Sequence, residues 1–184
     1  GSPLLHFSNK VKDLLQQELK DEYDVFLAMR YKNPSIASVL ESMRKKNYSK
    51  IIVLPMFPQY ASASTGSALD EVMRVLRTWW VIPEMKFISQ YYDQPTFIDA
   101  LVARGKQYEL GAYDHVLFSY HGLPERQVDK VYSEGLCSDH DCESEITEEN
   151  KFCYKATCYA TTRLLAERLN IPKDKYTVCF QSRL

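Results

Sequence analysis

Long hydrophobic runs are missing from this 184-residue sequence. Its longest apolar stretch, "IIVLPMF" at 51–57, falls far short of the roughly 20 residues that a bilayer-spanning helix needs. An excess of one charge is missing too. The 23 basic and 24 acidic side chains nearly cancel, so no field draws nucleic acid or an anionic membrane. The opening "GSPLLHFSNK" lacks the charged start and apolar core of a secretory signal. The expected compartment is therefore the reducing cytoplasm, where five cysteines favour metal binding or buried thiols over disulfides. What is present is a chain 45% hydrophobic, enough for one large domain or two small ones.

Short apolar runs alternate with helical patterns. "DVFLAM" (24–29), "KIIVLPM" (50–56), "MKFISQ" (85–90), "HVLFSY" (115–120) and "YTVCFQ" (176–181) have strand length and suit strands buried on both faces of a parallel sheet. Between them, Asn33 is placed to cap a helix with Pro34 at its first position, followed by Ile36, Val39, Leu40 and Met43 at helical spacing. Pro95 opens a second helix, with Phe97, Ile98, Leu101 and Val102 on one face. A third spans about Tyr154 to Leu169, closed by Asn170 and Pro172. This alternation predicts an α/β fold with right-handed crossovers. The start of the chain, with Leu4, Leu5, Phe7, Val11, Leu14 and Leu15, predicts an amphipathic, core-facing helix.

Open sheets of this kind bind ligands beyond the carboxyl ends of their strands. Three clusters fall at such ends: Arg30 and Tyr31, then Gln59 and Tyr60 with "SASTGS", then His121. The topology predicts that they share one rim. Each has a plainer alternative. His121 would merely satisfy a loop carbonyl, Arg30 would snorkel to solvent, and "STGS" (64–67) would cap a helix rather than offer backbone N–H groups to an anion.

Cys137, Cys142, Cys153 and Cys158 form a C-x4-C-x10-C-x4-C array, with His140 inside the first pair as a substitute ligand. Four soft thiolates suit a tetrahedral ion or an iron–sulfur cluster. Zinc sites favour C-x2-C pairs, so spacing leaves zinc, cluster and plain buried thiols all open. Cys179 lies within an apolar strand and is expected to be a small core residue.

Three stretches, "MRYKNPSI" (29–36), "LPMFPQYASASTGS" (54–67) and "LFSYHGLPERQV" (117–128), resemble signature stretches of the ferrochelatase family. Their order and separation match along essentially the whole chain. The opening "GSPL" resembles the segment after the family's first strand, and "FQSRL" the strand before its Gly-x-x-Pro-Trp-like stretch. The resemblance implies insertion of ferrous iron into protoporphyrin IX, the last step of haem synthesis. It also implies two Rossmann-like lobes: 1–80, lacking the first strand, and 81–184, truncated at its end. By the same resemblance His121 is the catalytic histidine, accepting pyrrole protons, guiding iron, or both. Ser2, Met29, Arg30, Tyr31 and Tyr60 take porphyrin-contacting places, with Pro3 beside Ser2 near the ring's edge.

The chemistry makes such a set coherent. Iron enters a porphyrin only after the ring buckles and loses two N–H protons. Imidazole has the right basicity for that and also ligates ferrous iron. The ring faces want aromatic and aliphatic neighbours, and its propionates want cations or hydroxyls.

Two departures stand out. The family's carboxylate opposite the histidine lies downstream of "QSRL", so the chain is expected to be an internal fragment without part of the metal path. Animal-type members use one internal cysteine with a C-terminal trio, and carry a cysteine where this chain has Ser62. Some bacterial members instead carry an internal set after the histidine motif. That likeness implies a [2Fe–2S] cluster on Cys137, Cys142, Cys153 and Cys158, structural or regulatory in role, with zinc the alternative. The implied partners are porphyrin and ferrous iron, without nucleic acid, and with peripheral contact at the inner membrane. The competing readings are a chelatase for another metal or porphyrin, and a non-catalytic four-cysteine binding module.

Overall fold

The computed structural model describes residues 3–182. The chain forms two compact units: residues up to Val53 with Ser67–Phe87, and Leu54–Gly66 with the chain from Ile88 onward.

The first unit contains α1 (Pro3–Leu19), α2 (Ile36–Lys46), β1 (Lys50–Val53), α3 (Ser67–Leu76) and β2 (Glu84–Phe87). β1 and β2 pair in parallel, Lys50 opposite Glu84 and Val53 opposite Phe87. Parallel neighbours need a long crossover, and α3 lies within it. Its core is Ile36 and Leu40 from α2 against Val72 and Leu76 from α3, with Val53 and Met85 packed on from the strands. At roughly 1.5–3 kcal/mol for each large apolar side chain removed from water, this cluster dominates the unit's stability.

Three sequence expectations change here. The cap of α2 is Ser35, whose Oγ accepts the Ser38 N–H at 3.1 Å, rather than Asn33. Pro34 is occupied elsewhere, its carbonyl accepting the Met29 N–H at 2.7 Å. "DVFLAM" is not a strand: only Met29 makes a bridge, to Ser35. The Gln16 side chain takes the Val25 N–H and the Tyr23 carbonyl, each at 2.8 Å, so those backbone groups are spent outside any ladder. Third, α1 buries no residue. Gln16 anchors its half-buried side, while the ridge of Leu4, Phe7, Val11 and Leu14 faces solvent, Phe7 being 61% exposed.

The second unit contains α4 (Pro95–Gly105), β3 (Val116–His121), α5 (Glu125–Val128), α6 (Tyr154–Arg168) and β4 (Tyr176–Gln181). β3 and β4 are parallel, with Val116 opposite Tyr176 and His121 opposite Gln181. α4 meets α6 through Ile98, Val102 and Leu165. α6 buries Ala156, Thr157, Cys158, Ala160, Thr161, Thr162, Leu165 and Ala166, so it is enclosed on most sides. Asn170 closes it in the left-handed region at φ 55°, as the sequence predicts. Burial on both strand faces does not hold for β3: residues alternate, and Leu117 is 67% exposed. With two strands per sheet, helices cover one side of β3 and leave Leu117, Ser119 and His121 on the open side. The class is nonetheless α/β, parallel strands flanked by helices.

Candidate functional site

His121 is the last residue of β3, paired with Gln181 and exposed. The turn after it is sterically dictated. Gly122 N–H donates to the Gln181 carbonyl at 2.6 Å, and a Cβ on Gly122 would lie 3.0 Å from that same oxygen. A side chain there would need the Gln181 carbonyl to give by a few tenths of an ångström, an adjustment that glycine avoids. Leu123 then packs toward the cysteine core, and Pro124 precedes the single turn of α5. On the opposite side of β3, Tyr120 shares a 2.8 Å hydrogen bond with Thr162. Burial pushes its phenol up to about 12.

Tyr60 follows the buried Gln59 in the same unit. Its ring meets Phe152 edge-on, centroids 6.1 Å apart. Pro58 offers its carbonyl to the Tyr91 N–H at 2.9 Å, and Gln59 Nε2 donates to Thr161 Oγ1 at 3.0 Å. The chain then enters one π-helical turn, Ser62–Gly66, instead of an ordinary helix cap. Within "STGS" the Ser64 and Gly66 N–H groups are both committed to the Ala61 carbonyl, at 3.2 and 3.0 Å, rather than turned to a ligand.

Met29, Arg30 and Tyr31 belong to the other unit. Arg30 Nε donates to Ser67 Oγ at 3.0 Å and to the Ser67 carbonyl at 3.1 Å. Its guanidinium lies 4.8 Å from the Tyr31 ring centre, a cation–π arrangement. Among the described residues neither Nη of Arg30 makes a hydrogen bond or ion pair, and the residue is partly exposed. Tyr31 is 74% exposed, its hydroxyl 3.4 Å from Ser67 Oγ. Arg30 and Tyr31 are thus held on Ser67 in the first unit, while in the second Tyr60 and His121 each follow a residue bonded to α6, Gln59 to Thr161 and Tyr120 to Thr162. Ser2 lies outside the described residues. The sequence marks Gln59 and, within "SASTGS", Ser67 as members of a strand-end cluster, but nothing in its pattern marks Thr161 or Thr162.

Cys137, Cys142 and Cys153 gather in one apolar cluster with Val128, Tyr132 and Ala156, and Cys158 is buried on α6. None forms a disulfide. Burial, then the neighbouring Cys142 and Cys153, pushes the Cys137 thiol up to about 11, and burial raises Cys142 and Cys158 as well. Among the described residues no three His, Cys, Asp or Glu side chains are arranged to hold a metal ion. The donor chemistry nonetheless fits a thiolate-bound group. Three buried thiols, Cys137, Cys142 and Cys153, share a cluster with Tyr132, whose hydroxyl is buried without a hydrogen-bond partner and is a donor suited to a metal-bound sulfur, and Cys158 is a fourth free thiol buried on α6. His140 stacks on Tyr132, ring centres 3.9 Å apart, and places Nε2 3.1 Å from the Glu134 carbonyl. Cys179 is half-buried in β4, its thiol directed to the Phe118 carbonyl at 3.7 Å.

The family model described as Ferrochelatase matches residues 1–184, the entire chain. The chain belongs to the ferrochelatase family. It is 43% identical over 184 residues to the ferrochelatase of Legionella pneumophila (strain Paris), covering all of this chain and 54% of that protein. The ferrochelatase of Coxiella burnetii (strain RSA 493 / Nine Mile phase I) is 38% identical over 187 residues, covering all of this chain and 51% of that protein. That of Pseudomonas fluorescens (strain SBW25) is 38% identical over 190 residues, with coverage of 100% and 54%. The chain spans about half the length of the curated relatives it matches.

Proposed function

We propose that the protein to which this chain belongs is a ferrochelatase, inserting Fe(II) into protoporphyrin IX with release of two protons. The carrying observation is the family match over the full chain, which includes the strand-end His121. In this reading His121 accepts protons from the pyrrole nitrogens and passes them to solvent. Its neutral imidazole is also a ligand type that ferrous iron accepts on its way to the ring. The two N–H bonds break and release two protons, the ferrous ion is bound by all four ring nitrogens, and the iron stays ferrous, so no electron donor is needed. Tyr60 offers an aromatic surface to the macrocycle, backed by Phe152. Arg30, with both Nη donors uncommitted, suits a carboxylate such as a propionate, and Tyr31 and Met29 lie beside it. Ser2 takes the place of a further porphyrin contact by resemblance alone.

The finer reading of the cysteines is a [2Fe–2S] cluster held by Cys137, Cys142, Cys153 and Cys158, with the Tyr132 hydroxyl supporting it. Such a cluster supplies structural cross-linking or a redox-sensitive element, since the insertion itself transfers no electron. The protein's place in the cytoplasm, with peripheral contact at the inner membrane, is part of the same proposal. A metal-insertion assay on the full-length protein tests the function, run with ferrous and cobaltous ions and with protoporphyrin and coproporphyrin. His121→Ala should lower the insertion rate by roughly 10²–10⁴-fold while porphyrin binding persists. An alanine variant as fast as its parent would remove His121 from the chemistry.

A further inference from the structure

Two consecutive buried threonines of α6, Thr161 and Thr162, each reach a different chain segment that ends in a site residue. Most threonines inside helices turn back onto their own helix. Thr157 does so, its hydroxyl bonding to the Cys153 carbonyl at 2.9 Å and to Tyr154 O at 3.0 Å. Thr161 does more. It accepts from Gln59 Nε2 at 3.0 Å, from a residue 102 positions away, and its proton faces the Tyr92 carbonyl at 2.9 Å and the Thr157 carbonyl at 3.0 Å. Gln59 immediately precedes Tyr60, and the Tyr91 N–H, next to Tyr92, holds the Pro58 carbonyl at 2.9 Å. One hydroxyl thus closes a ring of contacts around the Pro58–Tyr60 segment. Thr162 bonds to Tyr120 at 2.8 Å, and Tyr120 immediately precedes His121. Successive side chains on a helix point about 100° apart, so adjacent positions can hold two segments that lie in different directions. Both threonines are almost wholly enclosed, at 2% and 0% exposure, so solvent cannot replace either bond.

We propose that Thr161 and Thr162 are positioning residues, a paired anchor on α6 that fixes Tyr60 and His121 relative to each other. The assignment deepens the ferrochelatase reading and rests on it for what Tyr60 and His121 do. The anchor acts on the two site residues separately: Thr161 sets where the macrocycle lies, and Thr162 sets where the base stands. Interior packing alone has no such division, because a loosened core disturbs both segments together.

The test uses the full-length protein with Thr161→Val and Thr162→Val, which keep the shape and remove the hydroxyl, beside Thr161→Ser and Thr162→Ser, which keep the hydroxyl. Thr161→Val should raise the porphyrin KM and Kd about tenfold with kcat little changed. Thr162→Val should lower kcat about tenfold and displace its pH profile, with porphyrin affinity preserved. Each serine variant should recover most of its loss. Valine variants that lower kcat and raise KM together, in proportion to a fallen Tm, overturn the proposal, as do serines that recover nothing. A parent that binds porphyrin yet inserts no metal sinks the functional reading instead, and the Thr161→Val change in Kd, followed by porphyrin fluorescence, still decides the anchor at Tyr60. A parent that binds no porphyrin overturns both.

Discussion

Gly66 shows how a single hydrogen atom can set the position of an aromatic ring. A Cβ built on it would lie 2.9 Å from the Tyr60 hydroxyl oxygen, well inside van der Waals contact. Gly66→Ala should therefore displace Tyr60 and weaken porphyrin binding about tenfold, the scale of a modest overpacking cost. Adding Tyr60→Phe removes the obstructing oxygen, so the double variant should bind better than Gly66→Ala alone. Fluorescence titration of porphyrin into the three proteins measures this, and a double variant no better than the single one would show that the ring is held by something else. At this scale the sequence exposes His121 well, because a strand-length run, an imidazole and Gly-Leu-Pro stand in succession. It hides Thr161 and Thr162. Threonines amid Arg163, Glu167 and Arg168 look like a solvated helix face, and only the fold shows them enclosed and bonded to distant segments.

Elements were legible where a strand had a parallel partner. "YTVCFQ" became β4 over its full span, and the runs starting near Lys50, Met85 and His115 became β1, β2 and β3 with ends displaced by a few residues. The run at 24–29 failed for a reason that hydropathy does not encode, the capture of its backbone groups by Gln16 and Pro34. The packing of β3 on α6 has its own pH signature through Tyr120. Its phenol ionises at about 12 in the fold against an ordinary value of 10.0, because burial disfavours the anion. The neutral form is thus favoured by folding. That contribution is complete below pH 10 and is lost as pH rises through about 12, amounting to about 3 kcal/mol. Urea unfolding of the full-length protein across this range should show a falling midpoint, and Tyr120→Phe should decline less steeply although it is weaker at neutral pH. Parallel slopes in the two proteins would assign the alkaline loss to other groups.

For the molecule as a whole, the cysteine array is the feature whose meaning composition and fold leave to chemistry. Gathering three thiols in one apolar cluster and a fourth on the adjoining helix is costly for thiolates unless a cation compensates them. The purified full-length protein should accordingly be red-brown, with visible absorption that disappears in Cys153→Ser. A colourless parent containing one zinc per chain would replace the iron–sulfur assignment with a structural zinc site. The spacing of the array left these outcomes open because it carries no C-x2-C pair, and the apolar cluster explains why the thiols come together all the same. One last consequence follows from the pairing of the strands. Each of the four has a neighbour on one flank only, among the described residues, so the opposite flank carries a row of peptide groups able to zip onto another extended segment. Handled as an isolated stretch, these residues are a template awaiting a mate, and crowding them together in a test tube invites the wrong mate first.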